Sequence, residues 1–206
     1  MFDFLPIVRR SRARVRYEDK IREQYDCVSA YLPVLALSSR YSPLISSRAI
    51  LVHRKLGFGE SRKTVIDWLG RPGHSIHSPN PVAAAILVYR YRLEDYRLRD
   101  ELHFSSHGLF YVSRTFSSVA TQKHADILRM YSDKYLGGSP FDGIKQKIVD
   151  SGGREILPTL VPASTVHYVA TSHPAFRQIA DYAGSARSND AHPDDIQKDS
   201  ASNDWL

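Results

Sequence analysis

Between Ala85 and Phe116 the chain carries three strand-like runs joined by connections too short for any crossover. The first, Ala85 to Arg92, passes from apolar Ile86-Leu87-Val88 into alternating Tyr89, Arg90, Tyr91 and Arg92. In the second, Leu98, Leu102 and Phe104 share one face with Asp100, and Arg99, Glu101 and His103 take the other. In the third, Gly108 to Phe116, strict alternation sets Phe110, Val112 and Phe116 opposite Leu109, Tyr111 and Ser113. Parallel neighbours need a connection of a dozen residues or so, whereas antiparallel ones close through a tight turn, so these runs imply an antiparallel meander. Such a sheet commonly packs one face and leaves the other in water.

The flanking sequence supplies helices. Ser61 has the hydroxyl an N-cap needs, and the helix it opens ends at Leu69, stopped by Gly70 and Pro72. A longer helix is expected over residues 118–135, with Ile127, Leu128, Tyr131 and Tyr135 on one stripe. An N-terminal helix from Tyr17 to Ala30 places Ile21, Tyr25 and Val28 together. Pro174 opens a last short helix to Tyr182. Ala49–His53 and Thr165–Ala170 have strand composition, and Lys147–Leu157 has that of a hairpin turning on Gly152-Gly153. Residues 38–47 and 71–81 are expected to be loops, and no internal repeat is found. The expected fold is α+β: a mainly antiparallel sheet of about four to six strands with helices on one face. The expected organisation is a basic N-terminal arm and helix at 1–47, an α+β domain at 48–183, and a disordered acidic tail at 184–206.

Composition narrows the environment. A chain of 206 residues with 42% hydrophobic residues can bury its own core. Its single cysteine, Cys27, can form no internal disulfide, and no targeting pattern or membrane-length apolar run is found, so a cytoplasmic location is expected. The net charge of +6 is uneven: residues 1–20 carry +3, residues 181–206 carry −4, and the body carries the rest. A basic body suits an acidic partner.

The words Gly59-x-Ser61-xxx-Val65-xxx-Leu69-Gly70-x-Pro72, Tyr89-x-Tyr91, Leu102-x-Phe104 and Leu109-Phe110-x-Val112 form a recognisable series. Residues 57–112 resemble the small α+β domain shared by the SmpA/OmlA outer-membrane lipoproteins and the β-lactamase-inhibitor proteins. The resemblance implies a helix ahead of a curved antiparallel sheet whose face binds another protein. It implies no lipoprotein role, since no lipid-attachment cysteine stands near the N-terminus.

Catalytic motifs are weak. There is no Gly-x-Ser-x-Gly elbow, no phosphate loop and no dinucleotide fingerprint. His103 and His107 have i, i+4 spacing, which meets on a helix but is not guaranteed to at the end of a strand and its turn, and no cysteine or acidic ligand accompanies them at telling spacing; neither metal nor cofactor is expected. The expectation is a noncatalytic macromolecule-binding domain, of inhibitor, immunity or adaptor type, with another protein as partner. Its contact residues would be Tyr89, Arg90, Tyr91, Arg92, Tyr96, Arg97 and Arg99, with a basic N-terminal cluster of Arg9, Arg10, Arg12, Arg14 and Arg16. Two alternatives stand beside it. One is nucleic-acid binding, with guanidinium groups on phosphates and tyrosines stacking bases. The other is a hydrolase in which some of His53, His74, His103 and His107 converge in a pocket.

Overall fold

The structure is a computed structural model and describes residues 12–93, 95–117, 119, 123–160 and 163–189. Eight strands form one sheet: β1 (Ser42–Ile45), β2 (His74–His77), β3 (Ala85–Leu93), β4 (Tyr96–Ser105), β5 (Gly108–Ser117), β6 (Gln146–Val149), β7 (Arg154–Thr159) and β8 (Thr165–Ala170). Their order is β1-β6-β7-β8-β5-β4-β3-β2. β1 runs parallel to β6 and every other pair is antiparallel. The sheet is thus larger than expected and mixed.

Helices cover both faces, not one. Helices α3 (Arg62–Leu69) and α4 (His124–Tyr135), with the irregular segment 46–60, bury Val65, Ile127, Tyr131, Ile50, Val52 and Leu56 on one face. Helices α1 (Arg12–Gln24), α2 (Leu32–Arg40) and α5 (Pro174–Asn189), with a 3₁₀ turn at Val28–Tyr31, bury Ile21, Tyr25, Tyr31, Val34, Phe176 and Ile179 on the other. We call these the α4 face and the α1 face. Ile21, Tyr25, Val28, Tyr31 and Val34, which precede the boundary expected at residue 47, are buried in the α1-face core. Tyr31 is 1% exposed. Likewise α5 runs to Asn189, past the expected start of the tail; residues 190–206 lie outside the described set.

The central strands alternate as a pleat requires. Leu87, Tyr89, Tyr96, Leu98 and Leu102 enter the α4-face core, and Ile86, Val88 and Tyr111 the α1-face core. One β-bulge breaks the expected alternation. The register shifts between His103 (opposite Tyr111) and Phe104 (opposite Leu109), which leaves Phe110 as the extra residue. Phe110 and Tyr111 therefore enter the α1-face core together, and Leu109 joins Val112 and Phe116 on the α4 face.

Three local readings are also revised. Ala49–His53, of which Ile50 and Val52 are buried, is not a strand, because side chains satisfy much of its backbone. Ile50 N–H donates to Asp150 Oδ2 at 2.7 Å, Leu51 O accepts from Tyr135 Oη at 3.1 Å, and Val52 O accepts from Arg114 Nη2 at 3.0 Å. The loop expected at 38–47 contains the end of α2 and β1, and the loop expected at 71–81 contains β2. The cap is as read: Ser61 Oγ accepts from Thr64 N–H at 3.1 Å, and Gly70 closes α3 with φ 78°.

After α3 come four antiparallel strands, β2–β5, and after α4 come three, β6–β8. The two runs meet through their last strands, β5 and β8, with Ser113 opposite His167.

Candidate functional site

The pleat separates the two halves of the Arg–Tyr hairpin. Tyr89 and Tyr96 are buried in the α4-face core and Tyr91 packs against it. Tyr89 Oη donates to Gly70 O at 3.0 Å, Tyr91 Oη donates to Asp100 Oδ2 at 2.8 Å, and Tyr96 meets Phe116 edge to face at 5.6 Å. These rings are structural and form no exposed stacking surface. The arginines stand on the α1 face. Arg90 lies directly opposite Arg99, and Arg92 directly opposite Arg97. Arg90, Arg92 and Arg97 are exposed and Arg99 is half-buried.

Four guanidinium groups thus share one patch, two cross-strand pairs deep, along a groove of about 610 Å³ that reaches Ser117 on β5. Like charges directly opposite each other destabilise a sheet, by some tenths of a kcal/mol to about 1 kcal/mol per pair. Among the described residues, Glu101 relieves part of this: its Oε1 lies 3.1 Å from Arg99 Nε and its charge also attracts Arg90, while Arg99 Nη2 donates to Thr115 Oγ1 at 3.2 Å. Arg90 stacks its guanidinium 4.4 Å from the ring centre of Tyr17, a residue of α1. That contact brings α1 to the edge of the patch. Arg16 is exposed and Arg12 and Arg14 lie in α1, whereas Arg9 and Arg10 fall outside the described residues.

Beneath the patch on the α1 face lies a buried polar layer. Glu101 is 1% exposed and accepts a hydrogen bond from Tyr25 Oη at 3.2 Å. Burial raises its pKa, and the nearby Arg99 opposes that. His103 is fully buried: Nδ1 pairs with Tyr31 Oη at 2.9 Å and Nε2 has no hydrogen-bond partner. Burial drives its pKa down to about 3, and that of His167, paired with Tyr111 Oη at 2.7 Å, down to about 4.

On the α4 face the buried charges are satisfied. Arg114 forks onto Asp100, Nε to Oδ1 at 2.9 Å and Nη2 to Oδ2 at 2.7 Å, while Nη1 donates to Tyr168 Oη at 2.7 Å. Burial pushes the Asp100 carboxyl upward, but Arg114 and His53 outweigh it and hold it at about 2. His53 Nε2 lies 3.2 Å from Asp100 Oδ2.

The four histidines of the hydrolase reading do not gather at one centre. His53 and His74 border one cleft of about 450 Å³. They reach it from opposite faces of the sheet, His53 beside Asp100 and His74 with Nδ1 3.4 Å from Glu18 Oε1. His103 is enclosed, and His107 is exposed on the β4–β5 turn. Among the described residues no group of three or more His, Cys, Asp or Glu is arranged to hold a metal ion, and no helix is long and apolar enough to cross a membrane.

All four arginines of the patch are among the contact residues expected from the sequence, whereas Tyr17, Thr115 and Ser117, which that expectation did not include, adjoin them only through helix packing and strand register. No protein family, curated protein or solved structure matches this chain.

Proposed function

We propose that the chain is a noncatalytic macromolecule-binding domain, with the α1-face arginine patch as its contact surface and an acidic face of another protein as its partner. The observation that carries this reading is the pairing of Arg90 with Arg99 and of Arg92 with Arg97 across adjacent strands. That arrangement costs stability in the isolated chain and becomes favourable when carboxylates are set between the guanidinium forks. Arginine is also among the residue types enriched where interfaces concentrate their energy. The likeness of residues 57–112 to inhibitor-type domains, whose sheet face binds a protein, supports the same reading. Nucleic-acid binding keeps its phosphate half here and loses its stacking half, because Tyr89, Tyr91 and Tyr96 pack into the opposite core.

Co-purification from a cell extract, with and without nuclease, tests the proposal when run beside the Arg92→Glu, Arg97→Glu chain. One protein should be retained after nuclease treatment and lost on charge reversal. Capture that nuclease abolishes, or that charge reversal leaves unchanged, overturns it.

A further inference from the structure

β3 has an open edge beside the arginine patch. β2 pairs with it only from His77 opposite Ala85 to His74 opposite Val88, while β3 continues to Leu93. Pro72 has no N–H with which to extend the ladder, and Gly70 turns the chain toward α3. Val88 O accepts from Gly73 N–H on this side at 2.9 Å. Backbone groups alternate in direction along an antiparallel strand, so Arg90 and Arg92 turn their N–H and C=O groups toward the same side. Among the described residues no strand pairs with them there.

The side chains flanking this edge differ between faces. On the α1 face stand Arg90 and Arg92, with Arg99 and Arg97 in the next row. At the edge itself opens the 450 Å³ cleft, whose α4-face wall is Leu69, Tyr89, Tyr91 and His53 and whose other lining residues are Arg71, Gly73, His74 and Arg90.

We infer that the exposed edge of β3 at Arg90–Arg92 takes up an extended acidic segment of a partner protein as an added strand. This rests on the proposed function and names how the patch is used. Main-chain hydrogen bonds to Arg90 and Arg92 supply affinity, and the alternation of the added strand supplies specificity. Its acidic residues at i and i+2 meet the arginines, and the apolar residue between them enters the cleft. Charged edge residues commonly keep a sheet from pairing with its own copies. Four arginines repel a second copy of this edge and attract carboxylates, so an acidic strand is the occupant that the charge admits.

Fluorescence anisotropy on the full chain tests this with an eight-residue peptide alternating Glu with Val, a Lys/Val peptide, and a Glu/Val peptide N-methylated at the amides that face the edge. The Glu/Val peptide should bind, the Lys/Val peptide should not, and both N-methylation and Arg90→Gln with Arg92→Gln should weaken binding at least tenfold. Both arginines are exposed, and a matching thermal midpoint verifies that the variant is folded. Equal binding of the N-methylated peptide overturns the added strand while leaving the arginine patch as the contact surface. Failure of the Glu/Val peptide together with salt-sensitive binding of a duplex oligonucleotide overturns both. Hydrogen exchange supplies a further readout: the Arg90 and Arg92 amides should become protected only with peptide. Protection in the free chain means that a segment of the chain itself holds the edge, which also overturns the inference.

Discussion

At the scale of single residues, the cores hold ionisable groups that constrain stability in opposite ways. Asp100 and Arg114 form a forked pair inside the α4-face core, satisfied further by Tyr91, Tyr168 and His53. Removing one partner leaves the other charge buried alone, which costs about 3–5 kcal/mol. Asp100→Ala should lower stability by that amount in urea unfolding. His103 and His167 act through pH. Each is buried neutral and accepts a proton only near pH 3 and 4 when folded, but near the ordinary 6.5 when unfolded. The unfolded chain therefore binds more protons below pH 6.5, and stability should fall as pH drops from there, by up to about 1.4 kcal/mol per unit for each histidine. Glu101, whose folded pKa is raised above its ordinary 4.5, contributes the opposite slope just above that value. Urea midpoints from pH 7 to 4 should decline, and a His103→Gln, His167→Gln chain should show a flatter profile.

At the scale of elements, local chemistry was legible wherever one residue type answers one backbone need. Ser61 announces the start of α3, and its Oγ does accept the Thr64 N–H. Ser61→Ala should cost about 1 kcal/mol in thermal or urea unfolding. The alternation at 98–104 placed each β4 side chain on its observed face. β5 did not follow, because one extra residue at Phe110 reverses the parity of everything before it, and nothing in Leu109-Phe110-Tyr111 marks which residue is extra. Segment 49–53 misled for another reason: three of its backbone groups pair with the side chains of Asp150, Tyr135 and Arg114, far away in sequence, and Val52 N–H donates to Leu56 O. The β4–β5 turn shows a tighter constraint. Gly108 has φ 97°, and a Cβ there would clash with the backbone carbonyl of Gly59. Gly108→Ala should therefore cost more than about 2 kcal/mol, the left-handed strain plus displacement of the Gly59 backbone.

At the scale of the whole molecule, the helices sort onto two faces and leave the arginine patch open on one. Ile86-Leu87-Val88 carried that information, since an uninterrupted apolar run signals a strand covered on both sides. The Arg–Tyr alternation after it fixed only that the two residue types part company, not which of them meets a core. The unpaired charges give a joint forecast: Arg97→Glu should leave stability unchanged or raise it by up to about 1 kcal/mol, because a like-charge pair with Arg92 becomes an opposite-charge one. The same change should weaken the partner contact. The central claim is that the arginine patch is where the partner sits. The most direct measurement is the affinity of the acidic Glu/Val peptide for the native chain and for the Arg92→Glu, Arg97→Glu chain under identical salt. The account predicts at least a tenfold loss with an unchanged thermal midpoint, because one directly opposed like-charge pair is exchanged for another; equal affinity in the two chains contradicts it.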